Sequence, residues 1–145
     1  MNTQNSLQLE LHVADFALAK KFYGVLGFSV VWERTPEEDK GYLILQNESG
    51  CILNFWSGTD AIYDQPYFKR FPKDTKRGYG VEIVVPTARE LGEVEADLTR
   101  AGYNVVEKLK LQPWGLKDFR IEDPFGYYVR VTTPHDIIDP GNAID

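Results

Sequence analysis

Few side chains in this 145-residue chain are suited to acid–base or ligand chemistry, and two of them, Glu10 and His12, stand two apart. They lie in the run Leu7-Gln8-Leu9-Glu10-Leu11-His12-Val13, where apolar and polar residues alternate strictly. That is the period of a half-buried strand, so Gln8, Glu10 and His12 share the face opposite Leu7, Leu9 and Leu11, which are expected to pack under a helix. A carboxylate beside an imidazole is minimal equipment for general acid–base catalysis, which needs only a positioned group of suitable pKa. The same alternation groups Ile52 with Asn54 and Trp56, Gly80 with Glu82 and Val84, and Tyr128 with Arg130 and Thr132. A one-residue slip in register would invert every such set. Trp56, Tyr128 and Trp114, the last in the turn Pro113-Trp114-Gly115, offer stacking area and a negative ring face for cations.

Plainer roles compete with each of these. Glu10 or Glu82 can serve only to neutralise Arg130, His12 can be a strand histidine satisfied by its neighbours, and Trp114 can cover a sheet edge. His135, next to Pro134, reads as exposed. The single cysteine, Cys51, sits in an apolar run and reads as a small buried residue; alone, it allows no intrachain disulfide.

The elements that position these residues occur twice. After the first strand, Asp15 is placed to cap a helix whose apolar stripe is Phe16, Ala19, Phe22, Tyr23 and Leu26, with Gly27 ending it. Three short strands rich in β-branched and aromatic residues follow, over 28–33, 42–46 and 51–56. A second set begins with a strand over 79–85. Pro86-Thr87 opens a helix, Thr87 and Glu90 being spaced as a capping box, and Leu91, Val94, Leu98 and Ala101 form its buried stripe up to Gly102. Strands over 105–111, 118–122 and 127–133 complete it. Each post-helix strand starts alike, Gly27-Phe28-Ser29-Val30-Val31 against Gly102-Tyr103-Asn104-Val105-Val106. The organisation is therefore α+β: a βαβββ module over about 7–57, a linker over about 58–78, a second βαβββ module over about 79–134 and a polar tail over 135–145. The linker reads first as a solvated connector. Its Tyr63, Tyr67, Phe68 and Phe71 and its basic Lys69, Arg70, Lys73, Lys76 and Arg77 leave open a lid or a contact with a partner.

Bulk properties narrow the function. With 43% hydrophobic and 26% charged residues the composition is that of a globular domain, and no stretch approaches the ~20 apolar residues of a membrane span. Residues 1–6 are polar and lack the basic and apolar blocks of a signal peptide, which suggests a cytoplasmic protein. A net charge of −6 argues against nucleic acid as a partner and sits more easily with a neutral or cationic small molecule.

Several local motifs resemble the glyoxalase/bleomycin-resistance/dioxygenase (vicinal oxygen chelate) superfamily. Val13-Ala14-Asp15, Phe22-Tyr23 and Leu26-Gly27-Phe28 are similar to its first helix, and Pro113-Trp114-Gly115 with Asp123-Pro124-Phe125-Gly126-Tyr127 to its last hairpin. Tyr42-Leu43-Ile44-Leu45-Gln46 and Asn54-Phe55-Trp56 are similar to segments of bleomycin-resistance proteins. The resemblance implies curved mixed sheets whose strands line one ligand cup, with Gln8, Glu10, His12, Asn54, Trp56, Glu82, Trp114, Tyr128 and Arg130 as ligand-binding candidates. Family enzymes hold a divalent metal at positions that fall here on Gln8, Asn54, Gly80 and Arg130. A glycine and a permanently cationic arginine do not suit that task, so no metal and no other cofactor is expected. Glu10, His12 and Glu82 would be the substitute metal or acid–base set. The resemblance thus implies a metal-free homodimer, its modules in some members exchanged between chains, that sequesters an aromatic or cationic compound as bleomycin-resistance proteins do. A lyase, isomerase or dioxygenase with a non-standard site is the alternative.

Overall fold

The computed structural model describes residues 7–37 and 40–138; residues 1–6, read above for the absence of a signal peptide, and the end of the tail, 139–145, lie outside the described residues. The element order is β1 (Glu10–Val13), α1 (Phe16–Val25), β2 (Ser29–Arg34), β3 (Gly41–Gln46) and β4 (Ile52–Ser57), then β5 (Ile83–Pro86), α2 (Leu91–Arg100), β6 (Val105–Leu111), β7 (Lys117–Glu122) and β8 (Tyr128–Thr132). The repeated βαβββ pattern is thus present in three dimensions. Each module builds its own four-stranded mixed sheet, in order β1-β4-β3-β2 and β5-β8-β7-β6. The first strand of each module runs parallel to the last, and the remaining pairs are antiparallel.

Local chemistry sets the element ends. The Asp15 carboxylate accepts from the amides of Ala17 at 2.7 Å and Leu18 at 3.2 Å, as its position before the apolar stripe requires. Gly27, at φ +89°, turns the chain out of α1 in the left-handed region that favours glycine. The second helix departs from expectation. It starts at Leu91, where the Glu90 carboxylate accepts from the Glu93 amide at 2.8 Å. Thr87 lies four residues before the helix start; its amide donates to the Thr132 carbonyl at 3.0 Å, extending the β5–β8 ladder, and its hydroxyl accepts from the Arg89 amide at 3.3 Å, ahead of the helix. The first strand is also shorter than the alternation suggested. Its last rung is the bond from the Asn54 amide to the Leu9 carbonyl at 3.3 Å, and β4 starts only at Ile52. Leu7 is 99% exposed and Leu9 37%, so neither packs under a helix. Likewise the segment from Tyr79 joins a sheet only from Ile83.

Both sheets press one face against a single core. Leu11, Val13, Leu43, Leu45, Leu53 and Phe55 from the first sheet and Ile83, Val85, Phe119, Ile121, Val129 and Val131 from the second belong to one buried cluster, which also takes in the apolar stripes of α1 and α2. Polar bonds cross the seam in and around this apolar contact. The Tyr23 hydroxyl donates to Asp123 Oδ2 at 2.7 Å, Asn47 Nδ2 donates to the Pro86 carbonyl at 2.7 Å, and the Arg89 guanidinium donates to the Val25 carbonyl at 2.8 Å. Asp123 Oδ1 meanwhile accepts from the amides of Phe125 and Tyr127, which shapes the β7–β8 turn. Burial alone would raise the Asp123 carboxyl, and these donors hold the shift in check.

Tyr23→Phe removes one donor and leaves Asp123 Oδ2 buried without a partner, which costs about 1–3 kcal/mol. Urea unfolding should show that loss as a lower midpoint with an unchanged slope.

Candidate functional site

Strand alternation, having sent the odd-numbered residues of β1 into the core, turns Glu10 and His12 outward. Pairing then sets Glu10 beside Asn54 and His12 beside Trp56, while Tyr42 and Ile44 on β3 face Trp56 and Asn54. Trp32 and Arg34 follow on β2 opposite Ile44 and Tyr42. One face of the first sheet thus carries a carboxylate, an imidazole and three large aromatic rings.

These groups are tied together. The Tyr42 hydroxyl donates to Glu10 Oε2 at 2.8 Å, and the His12 Nε2 to Glu10 Oε1 distance is 3.6 Å. Burial, with the Glu10 bond adding to it, pushes the Tyr42 phenol up to about 12. Partial burial lowers the His12 pKa; Glu10 opposes that shift and the Arg77 charge reinforces it. His12 is therefore neutral at pH 7. Its ring lies 5.0 Å from that of Trp56 and 4.7 Å, edge-on, from Phe68, and its Nδ1 is buried without a hydrogen-bond partner among the described residues. The Lys40 ammonium stands 5.2 Å over Trp56. Chemically, the face can stack planar molecules and attract cations, and it holds a neutral imidazole beside a carboxylate.

The second sheet presents a different face. Arg120 and Arg130 are direct cross-strand partners, a repulsive arrangement unless anions surround it. Glu82, Glu107 and Asp118 do so. Arg120 bonds Glu82 at 2.9 Å, Glu107 at 3.0 Å and Asp118 at 3.2 Å, and the buried Asp118 also accepts from Gln112 at 2.7 Å. Arg130 is held less tightly, 3.7 Å from Glu82 and 3.9 Å from Asp118. Its Nε and the facing Asp118 Oδ2 are both buried without hydrogen-bond partners among the described residues. The guanidinium lies 5.9 Å from the Trp114 ring, and Tyr128 stands on the same face.

Eight of the nine candidates therefore fall into two sets within one chain. Glu10, His12, Asn54 and Trp56 belong to the first sheet's outer face; Glu82, Trp114, Tyr128 and Arg130 belong to the second's. Both faces turn away from the shared core. Glu82 is engaged with Arg120 and Arg130 rather than sharing a cup with Glu10 and His12. Gln8 precedes β1 and is exposed, and Asn54 is buried with its amide directed to the Leu9 carbonyl at 3.4 Å. Tyr42, Phe68, Asp118 and Arg120 were missed. Alternation along residues 117–122 could have flagged Asp118 and Arg120; the approach of Phe68 to His12 has no local signal.

Neither set suits a divalent ion. Of the positions where family enzymes bind metal, Gln8 is away from the strands, Asn54 faces a backbone carbonyl, Gly80 offers no side chain and Arg130 is cationic. Among the described residues no three His, Cys, Asp or Glu side chains gather as a metal site would require.

A duplicated βαβββ chain of two four-stranded mixed sheets, each with an outward polar–aromatic face, is the architectural class of this protein. The family model described as Glyoxalase/Bleomycin resistance protein/Dioxygenase superfamily matches residues 6–131, and the chain belongs to that superfamily. Among solved structures it is similar to a bleomycin resistance determinant encoded on the transposon Tn5, with 18% identity, TM-score 0.59, and 92% of this chain and 100% of that one covered. A bleomycin-binding protein complexed with bleomycin aligns at 18% identity and TM-score 0.57 over 91% of this chain and 100% of that one. A protein of unknown function from Agrobacterium tumefaciens str. C58 aligns at 17% identity and TM-score 0.66 over 93% and 98%. No curated protein matches the chain.

Glu10→Gln should bring the Tyr42 phenol down from about 12 part of the way towards 10, burial sustaining the remainder. Alkaline titration of tyrosinate absorbance, with Tyr42→Phe identifying the component, reads the shift.

Proposed function

We propose that this chain is a metal-free small-molecule binding protein that sequesters a planar aromatic or cationic compound in the cytoplasm, in the manner of an antibiotic-resistance protein. The observation that carries the reading is the outer face of the first sheet. There the Glu10 carboxylate lies among Tyr42, Trp56 and a neutral His12, with the chain's own Lys40 ammonium over Trp56. A cationic ligand would take over that contact, gaining ring-face attraction and a nearby carboxylate. The superfamily membership and the likeness in fold to a bleomycin-binding protein support the same reading.

The division of the candidates into two outward faces favours a homodimer in which a second copy brings its Arg130, Trp114 and Tyr128 opposite Glu10, Trp56 and Tyr42. Exposed apolar side chains at Leu7, Ile52, Tyr79, Val81 and Val84, beside the outermost strands β1 and β5, are suited to cover by such a partner. Light scattering of the purified chain should give the mass of two copies; the mass of one at micromolar concentration would reject the assembly.

Titration with a panel of planar cationic drugs that includes bleomycin should quench tryptophan fluorescence saturably. Trp56→Ala or Glu10→Gln should weaken the best ligand about tenfold or more, since a desolvated cation–π contact is worth about 2 kcal/mol. Equal binding of neutral analogues would sink the cationic assignment.

A further inference from the structure

The linker is more than a spacer. It folds into 3-10 turns at Asp60–Asp64 and Phe68–Arg70 and walls a cavity of about 410 Å³ against the start of the first module and the last turn of the second. That volume is in the range of small-molecule sites. Its walls are aromatic, chiefly Tyr63, Tyr67, Phe68 and Tyr127, and its charged groups are Lys73, Lys76 and Arg77. Among the described residues no aspartate or glutamate lines it, although the whole chain carries −6.

Arg77 is the informative residue. Its guanidinium donates to the His12 carbonyl at 2.5 Å and to the hydroxyls of Tyr127 and Tyr63, each at 3.2 Å. All three acceptors are neutral, and two of the five guanidinium N–H groups remain for another partner. Among the described residues no carboxylate pairs with Arg77, Lys73 or Lys76, whereas Arg89, Arg100, Arg120 and Arg130 all have acidic neighbours. Asp123, whose carboxyl feels the Arg77 charge, is spent on Tyr23 and on the amides of Phe125 and Tyr127. Lys73 stands 5.0 Å over the Tyr63 ring. A half-buried cation held by neutral groups at an aromatic cavity lacks its counter-charge, and the cavity has room to supply one.

We propose that this linker cavity is a second binding site, for an aromatic carboxylate whose anionic end meets Arg77 and whose ring stacks among Tyr63, Tyr67 and Phe68. The cavity borders the first sheet's face at His12 and Phe68, but its charged groups are Lys73, Lys76 and Arg77, so its charge preference is opposite to that of the Glu10 face and it stands whether or not that face binds cations. Arg77 also reaches both modules, through His12 and Tyr127, so occupancy would tighten the linker onto the first strand.

The test uses 2-naphthoate with the full chain, followed by calorimetry and by amide chemical shifts. Saturable binding is expected, with shifts at residues 60–78, His12 and Tyr127, while 2-naphthamide binds about tenfold more weakly and 2-naphthylmethylammonium more weakly still. Arg77→Gln should weaken naphthoate by a similar factor. Because Arg77 also anchors the fold, Lys73→Glu with Lys76→Glu, both on exposed residues, provides the second variant and should reduce affinity several-fold. No saturable shifts in the linker, equal affinity for the neutral amide, or unchanged affinity in the lysine variant would each overturn the proposal.

Discussion

The two halves of this chain are held by one buried seam, and everything outward of it follows from how that seam is closed. Each sheet has one apolar face, and neither module alone could cover it with a single helix. Packing α1, α2 and both apolar faces into one core solves the problem for both halves at once. The Tyr23–Asp123 bond gives that contact its register, because a buried hydroxyl and a buried carboxyl tolerate little displacement before one loses its partner. Asp123 is doubly committed: one oxygen holds the neighbouring module and the other shapes the hairpin that feeds β8. The seam and the outward direction of Arg130 are thus mechanically connected.

Once the apolar faces are turned inward, the polar faces must look outward, and the molecule gives them different characters. The first is aromatic and lightly charged, its carboxylate engaged by a phenol and a neutral imidazole. The second is dense in ions, two opposed arginines stitched by three carboxylates. In that second network Arg120 makes the short bonds and Arg130 the long ones. Arg120 is therefore the structural member, and Arg130 retains hydrogen-bonding capacity for another group.

The linker adds a third environment. Excess negative charge dominates the chain, yet the cations of this segment gather around aromatic walls. Arg77 holds the segment in place through neutral acceptors on both modules, which anchors it without cancelling its charge. His12 sits where the linker and the first sheet meet, its ring between Trp56 and Phe68, and the Arg77 charge helps keep it neutral.

Much of this could be read in the chain as written. The duplicated βαβββ order, the Asp15 cap, the Gly27 stop and the outward pairing of Glu10 with His12 are local facts, set by periodicity and by side chains acting on their own backbone. The Thr87 cap failed because pairing with Thr132, a residue remote in sequence, keeps Thr87 in the β5–β8 ladder and the helix starts only at Leu91. Leu7 and Leu9 failed because β1 begins only at Glu10, and alternation says nothing of where a strand starts. The sorting of the candidates into two faces, the capture of Glu82 by Arg120 and the cavity around Arg77 were likewise decided only in three dimensions. The physical reason is the same throughout. Periodicity specifies which side of a strand a residue occupies, whereas the groups that share a site are chosen by which apolar faces find each other across the core.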